Sequence, residues 1–463
     1  MIIVDTPEPS FKVINAARDQ KIELYAGQKV TLTTDATVPA SSQVLPVNSP
    51  DFMKYVKLGE RLFVGMYLAT GSDNFSAVLQ VEEVEEKSVV CHCVDRATLE
   101  SGAIMVHVAK YSSEMPSIFS QKEVEQELKI WDQPDLVDFV EVSCTRTADD
   151  IKQMRRFLRS TRYMRETKLV AKIESRQGLC NFDSILEEAD GIMMSRGDLG
   201  LAVPLEKVVQ AQKHIVRRCN QVAKPVTVTR VLDSMVNVPQ PTRAEATDVA
   251  NAVLDGADAV LLGAETVRGS FPVATVRTVL SICKEAETAF NKEVYGKYLM
   301  KSFPSPVPHD LAVAASAVRA ASKIKAHMII CFTSTGISPR LTASFRPNIP
   351  ILTVVLPTLS VGSNLKWTAS GAMQARQTLI TSGLIPVLAD PRGEPSQQHL
   401  QDAFKVGKKL GLVLSGKVDF RRSERVVGSS REPIRRCRGS FVESSKIGGL
   451  IVLTSAAREK SSS

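Results

Sequence analysis

Two short apolar runs, each ending in charge, organise the middle of this chain. Residues 169–173 (LVAKI) run into Glu174, with Lys172 one step inside the run; residues 191–194 (GIMM) lead through Ser195 into Arg196-Gly197-Asp198. Between them, residues 182–188 mix apolar and polar positions with a helical period. Strand, helix, strand at this spacing predicts a right-handed parallel crossover. Both charged clusters then stand at the carboxyl ends of neighbouring parallel strands, where α/β folds keep their chemistry.

The same pattern reading extends along the chain. Residues 2–6 form a short strand ending in Asp5-Thr6, broken by Pro7 and Pro9. Residues 21–25, 28–33, 61–67, 76–84 and 88–94 alternate at period two between glycines, which predicts a small β-barrel or sandwich over residues 12–110. From residue 111 the grammar changes to strands alternating with helices. Helices are expected at 121–130, 148–159, 204–222, 241–252 and 274–290, and strands at 139–143, 225–229 and 259–262. The parallel strands number six, against the eight of a closed (β/α)8 barrel, so either the sheet is open or two βα units are absent. A proline-rich linker, 302–309, precedes a last α/β domain, 310–415, with helices at 310–323 and 398–410 and strands at 327–332, 350–356 and 385–388. Beyond it, 416–463 is a degenerate basic tail rich in Ser and Arg, with one further apolar run at 450–453.

Composition narrows the class little. At 463 residues, 44% hydrophobic and 23% charged, the chain has room for several globular domains. No apolar run approaches the ~18–20 residues that span a membrane. Residues 1–7 resemble neither a signal nor a transit peptide, and the chain does not end in a peroxisomal signal, so a cytoplasmic protein is expected. Of the net charge of +8, residues 417–446 carry +5 (nine Lys/Arg against four Asp/Glu), so the rest is near neutral and nucleic acid is not an expected partner. Cys144, Cys219, Cys283 and Cys331 lie on apolar periods and read as buried, reduced thiols. Cys91-His92-Cys93 is half a metal site with no second Cys/His pair at zinc spacing.

The candidate chemistry lies at the strand ends. Lys172 and Glu174 are two apart on a strand and share a face; Asp198 arrives from the next strand. Two carboxylates and an ammonium converging there suit a hard divalent cation with a phosphorylated substrate. Gly197 lets a ligand approach the backbone, and the turn 196–200 can aim N–H groups at an anion. Taken singly, these residues also read as a Lys–Glu ion pair and an Asp cap; the functional reading rests on the set.

Three stretches carry a resemblance. Lys172 to Ser175 (KIES), residues 190–200 (DGIMMSRGDLG) and residues 239–269 (PQPTRAEATDVANAVLDGADAVLLGAETVRG) resemble, in order and spacing, the pyruvate kinase family. The likeness continues through residues 22–35 (IELYAGQKVTLTTD) and 332–355, covering about residues 2–410. It implies a TIM-type (β/α)8 barrel lacking its first two βα units, with residues 1–11 as the first strand present and 111–301 as the remainder. It also implies an inserted small β-barrel lid, a C-terminal α/β domain and a homotetramer. The implied reaction passes a phosphoryl group from phosphoenolpyruvate to ADP, giving pyruvate and ATP. Glu174 and Asp198 would hold Mg²⁺ or Mn²⁺, and Lys172 would neutralise the moving phosphoryl group. The N–H groups of Gly197 and Asp198 would take the substrate carboxylate, with Thr229 near the point of enolate protonation. Asp5 and Thr6 match potassium ligands. Thr333, Ser334, Thr335, Gly336 and Ser338 match the effector loop, and Arg243 a subunit interface.

The departures from the family are specific. The absent units carry the phosphate-gripping Arg and the remaining K⁺ ligands. Lys12 replaces an essential Arg and cannot form its two-pronged contact. Residues 100–106 hold no basic residue where the family has a nucleotide-contacting Lys, the strand before Thr229 is one residue short, Gly263-Ala264 replaces Ser-Gly, and Ile337 replaces an effector-loop Arg. The expected function is therefore a pyruvate kinase-like phosphotransferase impaired at the phosphate, potassium and nucleotide sites. The alternatives are a non-catalytic paralogue that partners a full-length pyruvate kinase, or a shortened reading of a gene for an active enzyme.

Overall fold

The computed structural model describes residues 1–6, 11–17, 21–49, 52–65, 76–100, 104–108, 124, 128–267, 269–303, 305–361, 367–390, 397–413 and 449–453. The expected helix at 121–130 lies largely outside them, as do the Ser/Arg-rich stretch 421–445 and residues 7–10.

Six parallel strands form one sheet in chain order: Ile3–Asp5, Phe139–Val142, Lys168–Ile173, Gly191–Met194, Val226–Thr229 and Ala259–Leu261. The count of six holds, and among the described strands the sheet does not close: Ile3–Asp5 and Ala259–Leu261 are its two edges. The short strand before Thr229 keeps register, with Thr229 opposite Leu261 and Met194 opposite Val228.

Alternation along the strands decides which side chains face what. Val140, Val142, Leu169, Ala171, Ile173, Ile192 and Met194 point to the helices and pack with Ile151, Leu158, Ile185 and Ile215, all buried. Each such aliphatic contributes about 1.5–3 kcal/mol by leaving water. The intervening residues face the inside of the curl. Low on that face, Phe139, Val170 and Met193 pack against Ile380 of the C-terminal domain. Higher up the same face the residues become polar: Ser143, Lys172 and Glu174, all buried.

The lid is a seven-stranded, mostly antiparallel sheet with a separate pair, Lys21–Leu24 with Ala97–Glu100. Its core is hydrophobic, mostly aliphatic, around Leu32, Leu62 and Leu79, with Phe52 packed edge-on against Phe11. The patterned strands appear there; Val44–Pro46, Ala97–Glu100 and Met105–Val108 do not show in the pattern because they are short. Cys91 and Cys93 point into this core while His92 points away to Glu82 at 3.1 Å, so the three do not converge on a metal. Burial pushes the Cys91 thiol up to about 12. Cys219 and Cys331 are buried as expected, whereas Cys144 and Cys283 are only half-buried.

In the C-terminal domain, Met328–Thr333, Ile351–Val355 and Leu384–Leu388 are parallel, and Gly449–Leu453 adds an antiparallel edge strand. The helix Lys292–Lys301, which the pattern reading leaves out, packs through Leu299 on Leu311, Ala314 and Phe345 of this domain. The domain is tied to the sheet by polar contacts on the buried Asp138. Arg376 Nε donates to Asp138 at 2.9 Å, and Gln377 Nε2 donates to the carbonyls of Glu166 and Asp138 at 3.0 and 3.2 Å.

Candidate active site

Lys172 is the hub of the polar layer at the upper strand ends. It sits near the carboxyl end of the strand Lys168–Ile173, which has two strands on one side and three on the other, and only 6% of it is exposed. Its Nζ lies 3.0 Å from Asp5, 3.2 Å from Glu174 and 3.1 Å from the Ser143 hydroxyl. The strand rule that puts Lys172 and Glu174 on one face therefore holds. The other two partners come from the two preceding strands: Asp5 from Ile3–Asp5, and Ser143 just beyond Phe139–Val142.

The Glu174 carboxylate is buried, and its two oxygens meet different groups. Oε2 accepts the Cys144 N–H, while Oε1 is buried near Lys172 without a hydrogen bond. Cys144 has φ +50°, the left-handed turn that aims its N–H inward. Asp198 lies in the first turn of a short helix, Arg196–Ala202, where a loose turn was expected. Ser195 donates its hydroxyl to Asp198 Oδ2 at 2.6 Å. Burial pushes the Asp198 carboxyl up, opposed by the Ser195 hydroxyl, the Lys172 ammonium and the Arg230 guanidinium. The first-turn N–H groups of Gly197 and Asp198 have no carbonyl within their own helix, as at any helix start.

A divalent cation fits this donor set. Glu174 and Asp198 are the hard carboxylate donors that hold Mg²⁺, which takes water and substrate oxygens in its remaining positions; Glu174 Oε1, which makes no hydrogen bond, is ion-paired with Lys172 at 3.2 Å. Asp5 and Thr6, the expected potassium ligands, make other contacts within the protein. Asp5 is occupied by Lys172 and by the Ser143 hydroxyl at 2.9 Å, Thr6 Oγ1 accepts the Ser143 N–H at 3.0 Å, and the Thr6 carbonyl accepts the Ser143 hydroxyl at 2.8 Å.

Thr229 is buried at the end of its strand, its hydroxyl 3.3 Å from the Met194 carbonyl, to which it donates. Arg196 clamps this corner: Nε donates to the Thr229 carbonyl at 2.8 Å and Nη1 to Asp248 at 2.7 Å. What approaches Gly197 is a protein side chain. A Cβ built at 197 would lie 3.2 Å from Arg230 Nε.

Sequence reasoning missed Ser143, Arg230, Asp233 and Glu141. Glu141 is the one charge in an apolar strand, opposite Asp5 in register, and that signal was available in FVEV. Burial and the neighbouring Asp5 carboxylate push its carboxyl up to about 8. Burial also raises Asp233, to about 6, against the pull of Arg230.

The other candidates lie elsewhere. Thr333 ends a strand and its Oγ1 accepts the N–H groups of Thr335 and Gly336 at 3.3 and 2.9 Å, shaping a tight turn through Ser334. Gly336 has φ +79° and starts the helix Ile337–Ser344, in which the Ser338 carbonyl accepts the Thr342 hydroxyl. Arg243 is exposed at the first position of the helix Arg243–Asp255, whose start is fixed by a Thr242–Glu245 capping box. Lys12 is exposed on the lid, its N–H on Asn48.

With this geometry in hand, comparison with known proteins is consistent across methods. Residues 1–276 match the family described as pyruvate kinase, barrel domain, and residues 311–418 the family described as pyruvate kinase, alpha/beta domain. The protein named "Pyruvate kinase 2, cytosolic" of Oryza sativa subsp. indica is 45% identical over 421 residues, covering 89% of this chain and 79% of the relative. "Pyruvate kinase" of Dictyostelium discoideum is 35% identical over 394 residues, 84% of this chain and 73% of the relative. A crystal structure of a pyruvate kinase from Cryptosporidium parvum superposes with a TM-score of 0.74 at 30% identity, covering 90% of this chain and 80% of that one. No helix among the described residues is long and apolar enough to cross a membrane.

Proposed function

This chain belongs to the pyruvate kinase family, and on that premise we propose that its upper strand ends bind phosphoenolpyruvate and ADP and pass the phosphoryl group between them, giving pyruvate and ATP in the cytoplasm. The observation that carries this reading is Lys172: a buried ammonium between the carboxylates of Asp5 and Glu174, from the first and third strands of the sheet, with its charge also reaching Asp198. Phosphoryl transfer spreads negative charge over the phosphoryl oxygens and asks for fixed positive charge more than for a nucleophile. Lys172 supplies that charge at a position fixed by three partners. Glu174 and Asp198 would hold Mg²⁺ (or Mn²⁺), which when bound lends Lewis acidity to the phosphoryl oxygens. The first-turn N–H groups of Gly197 and Asp198 receive the substrate carboxylate. Thr229, buried beside that turn, stands where the enolate is protonated.

Catalysis is impaired in this reading. Lys172 occupies Asp5, so the potassium function of Asp5 and Thr6 is lost, and exposed Lys12 stands where the family has an Arg. Losing a single transition-state donor typically lowers turnover by ~10²–10³. A coupled pyruvate assay with saturating ADP, Mg²⁺ and K⁺ tests this: weak but Lys172-dependent turnover is expected. Robust turnover contradicts the impairment, and none at any enzyme concentration contradicts the enzyme.

A second reading, a non-catalytic subunit that pairs with a complete pyruvate kinase, is favoured by one observation. The six-stranded sheet leaves Leu261 exposed on its last strand. Arg243, exposed at the start of the helix Arg243–Asp255, would face the neighbouring subunit in either a homo-oligomer or such a hetero-oligomer, and residues 333–338 would receive an effector.

A further inference from the structure

Arg230 follows Thr229 at the carboxyl end of the strand Val226–Thr229 and has φ +61°, a conformation that side chains other than glycine rarely adopt. The backbone is pinned there by Arg196, whose Nη2 donates to the Arg230 carbonyl at 2.5 Å. The consequence is a side chain that folds back over the next-door turn. Its Nε, Cγ and Cδ would lie 3.2, 3.6 and 3.7 Å from a Cβ at position 197. Any residue larger than glycine at 197 would displace this stem, so the glycine of Arg196-Gly197-Asp198 is the space that Arg230 fills. The outer end is oriented by Asp233, whose Oδ2 lies 3.4 Å from Nε, and the Arg230 side chain is 19% exposed. Its charge also reaches Asp198 and helps keep that carboxyl from rising further.

A guanidinium is thus laid across the turn whose N–H groups receive the substrate carboxylate in the reading above, on which this inference rests. We propose that Arg230 is a substrate-binding residue that grips the carboxylate of the 2-oxo acid and of its enol phosphate, with Asp233 as the residue that positions it. The chemistry suits the group: a planar fork of N–H donors matches a carboxylate in two-pronged fashion and adds fixed charge, where the backbone N–H groups alone supply only dipoles. It also gives the site a second fixed cation besides Lys172.

The test is calorimetry on the full 463-residue chain with Mn²⁺ present, using phosphoenolpyruvate, pyruvate and inorganic phosphate as separate probes. Arg230→Gln is expected to weaken phosphoenolpyruvate and pyruvate by tenfold or more, about 1.4 kcal/mol, and to leave inorganic phosphate within twofold. Arg230→Lys keeps the stem and the charge but not the fork. It is expected to bind both carboxylates more weakly than the parent and more tightly than Arg230→Gln, and it serves as the reference should Arg230→Gln melt early. Unchanged pyruvate affinity in Arg230→Lys and Arg230→Gln overturns the assignment, as does a loss confined to inorganic phosphate. A parent chain that binds neither phosphoenolpyruvate nor pyruvate overturns the phosphoenolpyruvate reading itself, and this inference with it.

Discussion

Arg346 Nη1 donates to Asp258 Oδ1 at 2.7 Å, joining the C-terminal domain to the barrel through two side chains that are 6% and 3% exposed. The pair is not isolated. Arg346 Nη2 also reaches the Gly256 carbonyl and, at 2.8 Å, Asn220 Oδ1, and Asp258 accepts the N–H groups of Val226 and Ser382 at 3.1 Å. Burial lowers the Arg346 guanidinium, but the Asp258 carboxylate outweighs it, so the charge is kept. Removing one partner of such a pair leaves the other charged and buried, which costs about 3–5 kcal/mol. Arg346→Met should lose that much in urea unfolding. Arg346→Met combined with Asp258→Asn should lose less than the sum of the single variants. Strict additivity would mean the two side chains do not act as a pair.

The metal assignment rests on Glu174 and Asp198. Asp198→Asn keeps the shape and the contact with Ser195 but removes a charge, so Mn²⁺ affinity, titrated by calorimetry with phosphoenolpyruvate present, should fall by tenfold or more, about 1.4 kcal/mol. The variant should still melt cooperatively, because burial already works against the ionised form of this carboxyl. Equal Mn²⁺ affinity in parent and variant would remove Asp198 from the ligand set.

Much of this site is legible in the sequence, and the reason is geometric. Period-two alternation fixes that Lys172 and Glu174 share a face, and six apolar runs fix six parallel strands, because a parallel strand buried on both faces must read as a continuous apolar run. What the pattern could not carry is distance in sequence. Lys172 meets Asp5 across 167 positions and Ser143 across 29. Nothing local to any of the three residues encodes that meeting; it follows from strand order. Arg230 was hidden for a different reason. Its direction depends on a left-handed φ, and no pattern marks an arginine as a residue that adopts one. The helix Arg196–Ala202 was read as a turn because its seven residues are too short to show a period.

His107, on the lid strand Met105–Val108, gives a pH signature separate from the active site. Burial pushes its imidazole down to about 4 from the ordinary 6.5, and its Nε2 is buried without a hydrogen-bond partner among the described residues. The unfolded chain therefore binds a proton here more readily than the folded one. The native advantage is whole above pH ~6.5 and drains away as pH falls through ~4, up to about 3 kcal/mol in all. Urea midpoints between pH 7.5 and 4 should fall more steeply for the parent than for His107→Phe, which does not titrate. Parallel curves would show that the imidazole is already protonated or solvated when folded.

The last expectation concerns assembly. Among the described strands, Ile3–Asp5 and Ala259–Leu261 each pair on one side only, so two parallel edges present N–H and C=O groups with no strand to meet them. Beside the second edge, the helix Pro272–Ala289 exposes Val273, Val276 and Leu280 at 62%, 42% and 64%, and Leu261 on the edge strand itself is 41% exposed. Spacings of three and four place the helix residues on one stripe, so they form a continuous apolar face, the kind of surface that marks contact with another protein or aggregation. The isolated chain should therefore scatter light as something larger than its 50.5 kDa monomer. Leu280→Lys, which alters an exposed position and no core contact, should shift it toward the monomer without lowering its melting temperature. Mixing with a complete pyruvate kinase should draw the parent chain into a defined hetero-oligomer if that enzyme covers the stripe, and should leave the Leu280→Lys variant largely unbound. A monodisperse monomer with one cooperative melt would show that the edges are satisfied within the chain, and the partner-subunit reading would lose the observation that favours it.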